Sequence, residues 1–518
     1  MGRVLTNNVS LRSAVETTQG QVPVANWFLL EPNSIGTYGA TITTVARSPI
    51  SNLRQERKGV VTDLDSTVEF ESDLIFDHFI RYTEGFLFAV YSDVDTFVPS
   101  EATAGAYTVP AITAGQDGRL QDGGLGGTDA ATLVYTRGFA QPQNNGLKVI
   151  SAPVASTDTS ITVTGAVTGG SDPVAEVAPL TSVVRIDVAG VRAADSDLEI
   201  DVDGNLVSTV LDFTLLGLTI GQAIFIGGVD TANRFTDTAN RGIVLVSAIE
   251  ANRLVLERRG ATFVAENGAG LRIDLLFGRF CRNVPVTDPL FIERTYSFEL
   301  EYPGLDNPTG DAYEYSVGNG CDSLSLNIPL TDKATMAFGF VGLDTPPPQT
   351  NRLPGPVDAL VANETAAIST TSGVVALNDG SDSRLRLQKL DETGITTCFK
   401  DLTITINNAV SPEKCIGTLG ARFLNNGNFT VGLEGQVLFT DIAVPIAIRN
   451  NETLTFETAI RNSDGAVHIN VPALTISGGD REFPVNESVL LNFTGTAFVD
   501  PILQNSLGIS LFPFAPTS

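Results

Sequence analysis

The sequence is poor in the residues that carry chemistry. It has two histidines, His78 and His468. The first sits on a candidate helix and the second between Val467 and Ile469 on an alternating strand, and neither has a partner at a catalytic or metal-ligand spacing. Four cysteines, Cys281, Cys321, Cys398 and Cys415, lie far apart with no CxxC pair. That spacing signals neither a zinc site nor a disulfide framework, so free, mostly buried thiols are expected. No GxSxG elbow, HExxH helix or GxxxxGK[ST] phosphate loop occurs. The stretch DVDGN at 201–205 lacks the distal glutamate of a calcium loop and reads as a turn between strands, and GGLGG at 123–127 fails the GxGxxG pattern and reads as a loop. The expectation is a protein that is not an enzyme, with no cofactor and no metal.

Basic charge is also scarce. Acidic residues outnumber Lys and Arg by 59 to 32, giving a net charge of -27. Such a chain repels phosphate backbones and anionic membranes, which excludes ordinary DNA binding. The same repulsion suits a conduit, because a wall that attracts DNA holds it and an acidic wall lets it slide. No run of about 18 apolar residues is present to span a bilayer, and the opening MGRVLTNNVSLRSAVETTQG has no apolar stretch of signal-peptide type. A soluble chain assembled in the cytoplasm of the cell that makes it is expected, with no membrane partner.

What is abundant is strand. Hydrophobic residues make up 42% against 18% charged, with 49 glycines and 26 prolines to make turns, in a chain long enough for roughly three or four domains. Tyr296, Phe298, Leu300 and Tyr302 alternate with Ser297, Glu299 and Glu301, and 429–439 alternates in the same way, the period of half-buried strands. Helical signal is sparse. DLIFDHFIRYTEG at 73–85 places Leu74, Phe76, Phe79 and Ile80 on one side with Gly85 as its stop, and a shorter helix is expected near 441–449.

Two internal repeats organise the chain. At an offset of 363, TITTVARSP at 41–49 falls near TITINNAVSP at 403–412, and Val68 and Phe70 fall on Val431 and Leu433. Both ends then read strand, long loop, strand, short helix, more strands. In the first half the closing strands are displaced to 295–302, 313–328 and 334–342, so about 200 residues are inserted at a loop. The insertion repeats internally, NNGLKVISA at 144–152 matching NRGIVLVSA at 240–248. This divides the chain into an arm with first strands (1–40), a first domain (41–95 plus 285–343), two inserted β modules (96–180 and 181–284), a linker opening on DTPPPQTNRLPGP (344–400), a second domain (401–500) and a C-terminal arm (501–518).

Four stretches carry a family resemblance: 52–89 (NLRQERKGVVTDLDSTVEFESDLIFDHFIRYTEGFLFA), 294–307 (RTYSFELEYPGLDN), 313–344 (YEYSVGNGCDSLSLNIPLTDKATMAFGFVGLD) and 402–441 (LTITINNAVSPEKCIGTLGARFLNNGNFTVGLEGQVLFTD). They resemble the tail tube proteins of long-tailed phages, the siphophages, with a two-part tube subunit. The resemblance implies a mainly β chain with two tail-tube-type β-sandwich domains, each with one short α-helix, plus inserted small β domains. It further implies three chains per pseudo-sixfold ring, and rings stacked into a hollow tube of the virion that conducts viral DNA without sequence-specific binding. The implied partners are the chain itself, a tape measure protein, and tail terminator and distal tail proteins. A host-binding tail protein whose inserted modules recognise glycans is the alternative, although the single tryptophan, Trp27, lies outside those modules. A β-built polysaccharide hydrolase ranks third and needs a paired-carboxylate cleft.

Two sets of charges become candidate sites on this reading. Glu69, Glu71, Glu299, Glu301 and Glu434 lie on the polar faces of alternating strands and are candidates for a negative channel wall. Arg47, Arg54, Arg57 and Lys58, with Lys414 and Arg422 in the matching loop of the second half, are candidates for contacts to an acidic rim on the next ring.

Overall fold

The structure, a computed structural model, describes residues 4–515 except 25–26, 49, 51–55, 93–95, 98, 104, 113–129, 140, 153, 156, 165–171, 174–184, 258–262, 308–309, 354–359, 362–367, 369–384, 390–397, 441 and 463–464. The glycine-rich stretch 123–127, Arg54 and most of the linker therefore lie outside the described residues. The fold is mainly β, with two α-helices among the described residues.

Two units share one order of elements. The first has β1 (Ser10–Val15), β2 (Ser34–Arg47), β3 (Arg57–Asp73), α1 (Phe76–Leu87), β4 (Thr295–Asn307), β5 (Gly310–Pro329) and β6 (Thr335–Gly342). The second has β7 (Leu385–Lys389), β8 (Phe399–Asn407), β9 (Thr430–Leu438), α2 (Ala443–Asn450), β10 (Leu454–Asn462), β11 (Gly465–Glu482) and β12 (Leu490–Ala497), followed by β13 (Gly508–Phe512). Registers repeat as well. Asn307 opposite Gly310 becomes Asn462 opposite Gly465, and Asn327 opposite Thr335 becomes Glu482 opposite Leu490, all displaced by 155 residues. On the opening strands Gly39 opposite Thr67 becomes Thr405 opposite Gly432, displacements of 366 and 365.

The offset of 363 read from the sequence holds only at the helix ends, where Phe88 and Asn451 both adopt left-handed backbone. On the strands it is two or three residues out of register, so Val68 corresponds to Leu433 and Thr41 to Asn407. On β3 and β9 the shift of two keeps each side chain on its face, which is why the similarity of those strands survived the misalignment; on β2 and β8 the shift of three exchanges the faces.

Each unit is a sandwich. In the first, β2, β3, β6 and the C-terminal half of β5 form one sheet, and β1, β4 and the N-terminal half of β5 form the other. Phe70, Phe298, Phe338, Phe340 and Tyr82 of α1 fill the space between them, with ring centroids 4.9 Å apart for Phe298 and Phe340 and for Tyr82 and Phe338. Apolar burial on this scale, with offset aromatic contacts, is the main stabilising term. Helix α1 runs two residues beyond Gly85 and stops at Phe88, whose φ of 51° lets its N–H reach the carbonyls of Glu84 and Gly85. Gly85 has a different reason to be glycine: a Cβ there would sit 2.7 Å from Cys321 Sγ and 2.9 Å from Tyr296 Oη.

The insertion leaves and returns at one point, where Ala89 bridges Phe291 and Val90 N–H donates to Leu290 O. Its two halves each contain a 3-10 turn with a buried asparagine, Asn144 or Asn240, then a positive-φ glycine, Gly146 or Gly242, then a strand. Strand Arg185–Arg192 pairs with Ala131–Arg137 of the first half and Asp274–Leu276 of the second, so the halves share a strand and are not separate beads. The DVDGN segment is a turn in which Asp201 accepts from the N–H groups of Asp203 and Asn205. The insertion packs on the second unit, through Phe225, Leu245 and Leu276 against Ala459, Ala466 and Phe512, and Arg279–Arg282 pairs with β13.

Gly85→Ala is expected to lower stability by about 1–3 kcal/mol through overpacking between α1 and β4–β5. Thermal unfolding of the variant checks this, and a wild-type melting temperature would contradict it.

Candidate functional site: an open sheet face and two free edges

Strand β5 joins the units. Its residues Ser323–Asn327 pair with β6 on one side, and Ser323–Pro329 pair, in seven registered pairs, with Asn407–Asp401 of β8 on the other. Asn408 seals this seam: its N–H donates to Asp322 O at 2.8 Å, and its buried side chain donates to Cys321 O at 2.9 Å and Phe86 O at 3.1 Å. The result is one antiparallel run of eight strands, β2-β3-β6-β5-β8-β9-β12-β11.

Alternation gives this sheet one face packed on the two cores and one face open. A row across the open face reads Glu71, Ala337, Ser325, Thr405, Gly432, Thr496. The next reads Thr335, Asn327, Thr403, Glu434, Thr494, Ser477. Apart from Ala337 and Gly432 these rows carry hydroxyls, amides and carboxylates, and Asp73, which continues the second row beyond Thr335, holds Lys333 at 2.7 Å. Thr403 donates to Asn327 at 3.1 Å and Ser477 bonds Thr494 at 2.8 Å, which fixes the side chains as a smooth polar surface. Glu69, Glu71 and Glu434 stand on this face.

Glu299 and Glu301 do not. They lie on β4, in the other sheet, under a cover made by the segment around Trp27 and the start of the linker. Glu299 is fully buried and takes Arg352 in two bonds of 2.7 and 3.0 Å, Arg12 at 2.9 Å and the Tyr315 hydroxyl at 2.7 Å. Glu301 pairs with Arg12 at 2.6 Å. Burial, and then the bond to Glu299, raise the Tyr315 hydroxyl well above its usual range. These two glutamates are removed from the candidate channel wall, because alternation tells which side of a strand is polar but not which layer holds the strand.

Past Asp65 the β2–β3 hairpin extends beyond the core as an arm. Ile42, Val45, Val60 and Val61 are all exposed on it. Arg47 stands directly opposite Arg57 on the last rung, with Lys58 beside it. Like charges opposed in this way repel, so the rung is not stabilised by its own side chains. The matching loop of the second unit, 408–429, folds back instead. Its small hairpin, Ser411–Glu413 against Phe423–Asn425, lies across the first unit, and Lys414 grips Asp63 at 2.7 Å and Asp65 at 2.6 Å. The hydrogen bond to Lys414 lowers the Asp63 carboxyl, and the bond to Asp63 raises Lys414. Lys414 is thus committed within the chain and does not belong with the outward-reaching cations, whereas Arg422 is exposed over the Phe423 ring.

Both sheet edges are open. Among the described residues β2 pairs only with β3, and β11 beyond Leu474 pairs only with β12. Such edges are templates for another strand. Residues 250–497 match the family described as Phage tail tube protein. This region belongs to the phage tail tube protein family. The tail tube match begins within the second half of the insertion and takes in its last strands, β4–β6 and the second unit as far as the end of β12. A structural role in the virion tail follows from it. No curated protein is found to match the chain. The tail tube region keeps two thiols buried, Cys281 and Cys321, and two exposed, Cys398 and Cys415, fewer buried than expected. His78, at 3.3 Å from Ser72 Oγ, and His468 are both buried. Among the described residues no group of side chains is arranged to hold a metal, and no helix is long and apolar enough to cross a membrane.

Glu299→Ala is expected to cost about 3–5 kcal/mol, since it leaves Arg12 and Arg352 without their buried counter-charge. Glu69→Ala on the open face is expected to leave stability unchanged. Chemical denaturation of the two variants side by side checks the pair; equal midpoints would refute the assignment.

Proposed function

We propose that three copies of the chain close into a pseudo-sixfold ring, that rings stack into a hollow virion tube, and that the open sheet face lines its bore and conducts viral DNA. The observation that carries this reading is the internal seam, which serves as a template for closure. The 155-residue displacement turns Ile328 into Phe483, and the strand correspondence turns its seam partner Leu402 into Ile35. Ile328, in the core and paired with Leu402 of β8, is 6% exposed, and Phe483, with no strand paired to it among the described residues, is 73% exposed. A neighbouring copy that places Ile35–Thr41 along Gly478–Pro484 repeats the seam and uses up both open edges. Each copy supplies two units, so three copies present six.

The bore that results is neutral or acidic along the rows given above. The lysine at the edge of these rows, Lys333, is paired with Asp73, and carboxylates and hydroxyls dominate the rest, so phosphates are not held and DNA passes without sequence-specific binding. Rings stack head to tail, an open heterologous contact. The basic arm tips, Arg47, Arg57 and Lys58, lie at the end of the sheet opposite the β5–β6 and β11–β12 turns, where Asp332, Asp480, Glu482 and Glu487 are exposed and outnumber Lys333 and Arg481. The inserted modules, on the outer sheet of the second unit, decorate the tube exterior. Tape measure, terminator and distal tail proteins are the partners that such a tube needs for length and ends, and assembly in the host cytoplasm completes the picture.

Phe483→Asp is expected to leave the chain folded and to abolish ring closure; light scattering and negative-stain microscopy read this, and rings at the wild-type yield would rule the seam out. Thr405→Lys with Thr494→Lys is expected to leave tubes intact and to slow genome release from particles rebuilt with the variant, because the added cations hold phosphate. Unchanged release kinetics would mean that these residues face away from the bore.

A further inference from the structure

The loops that follow β2 and β8 occupy equivalent places, between Thr41 and Asp65 in the first unit and between Asn407 and Thr430 in the second. They are nearly equal in length, yet one stands straight and the other lies down. The second loop has something to lie on. After Asn408 it lies across three strands of the first unit: Lys414 grips Asp63 and Asp65 of β3, Ala421 N–H donates to Leu343 O just after β6 at 3.1 Å, and Leu424 abuts Gly320 of β5. Among the described residues the first loop has no such bed within its own chain, because its unit stands at the outer edge of the eight-strand run.

The bed that it lacks exists at the other end of the molecule. The residue equivalent to Leu343, 155 positions on, is Phe498, which with Val499 follows β12 and is 41% exposed, Val499 being 65% exposed. The arm offers matching apolar surface in Ile42, Val45, Val60 and Val61, each more than half exposed. The carboxylates that hold Lys414 have no counterpart there, since Asp63 and Asp65 correspond to Asn428 and Thr430. We infer that on ring closure the arm of one copy folds across the second unit of its neighbour in the same ring and packs its valines on Phe498 and Val499. The junction inside the chain is a lysine clasp, and the junction between chains is apolar. The apolar form suits an assembly step, since burial of exposed aliphatic surface drives association, while the exposed charge pair adds little affinity. The inference rests on the three-copy ring and adds which surface the arm occupies within it; the basic tip beyond the valines still projects past the sheet.

The test uses assembled full-length chain in a Cys398→Ser, Cys415→Ser background. One preparation carries Val60→Cys and the other Val499→Cys, and the two are co-assembled and oxidised. A disulfide-linked pair of chains is expected. A parallel mixture of Val60→Cys with Val485→Cys, at the opposite end of the sheet, is expected to give none. Cross-linking to position 485 in place of 499 would place the arm on the next ring and overturn the inference while leaving the tube reading intact. Phe498→Ser with Val499→Ser supplies a second readout: the chain stays folded and ring formation is lost, and rings at the wild-type yield would also overturn the inference. If the background protein forms no ring at all, the tube reading and this inference fall together.

Discussion

The arrangement depends on one strand with two partners. β5 spans twenty residues, begins in the outer sheet of the first unit and ends in the inner one, where both of its edges are hydrogen-bonded. Pairing its last seven residues with β8 converts two sandwiches into one continuous sheet. That conversion removes two of the four edges that separate units would expose and leaves β2 and β11 open. Unpaired backbone donors and acceptors at an exposed edge are a liability that folded proteins blunt or satisfy. Among the described residues neither edge is covered by the chain itself, and on the proposed ring closure each would be satisfied in the register of the internal seam.

The two faces of that sheet have opposite compositions for physical reasons. Toward the cores, aromatic and aliphatic side chains interdigitate. Toward the open side, small polar residues and a few carboxylates keep the surface flat, and Lys333 at its edge is paired with Asp73. The charges that do form buried pairs, Arg12, Arg352 and Glu299, sit in the other layer and fasten the start of the linker to the first unit. The insertion, although it interrupts the first unit, packs on the second. The two units are therefore tied at three places: the seam, the loop held by Lys414, and the insertion.

Much of this was legible in the sequence, and the failures have identifiable causes. Alternation from Tyr296 to Tyr302 marked a strand with one apolar face, and the order strand, loop, strand, helix, strands exposed the repeat. The register of the repeat was missed because loops of slightly different length shift the offset along the chain. Glu299 and Glu301 were placed on a wall because a period of two carries no information about which layer a strand joins. Gly85 was taken for a helix stop, whereas contact with Cys321 and Tyr296 sets its identity, a long-range constraint invisible to local pattern. The open edges left no signal at all, since they are defined by what fails to pair.

The most direct test of the central claim is a reconstruction of the assembled chain by electron cryo-microscopy at a resolution that traces strands. The account predicts three chains around a closed barrel, with Gly478–Pro484 of each chain antiparallel to Ile35–Thr41 of the next and the Thr405 and Glu434 rows facing the hole. A ring with any other number of chains, or one in which these two edges remain apart, would contradict it.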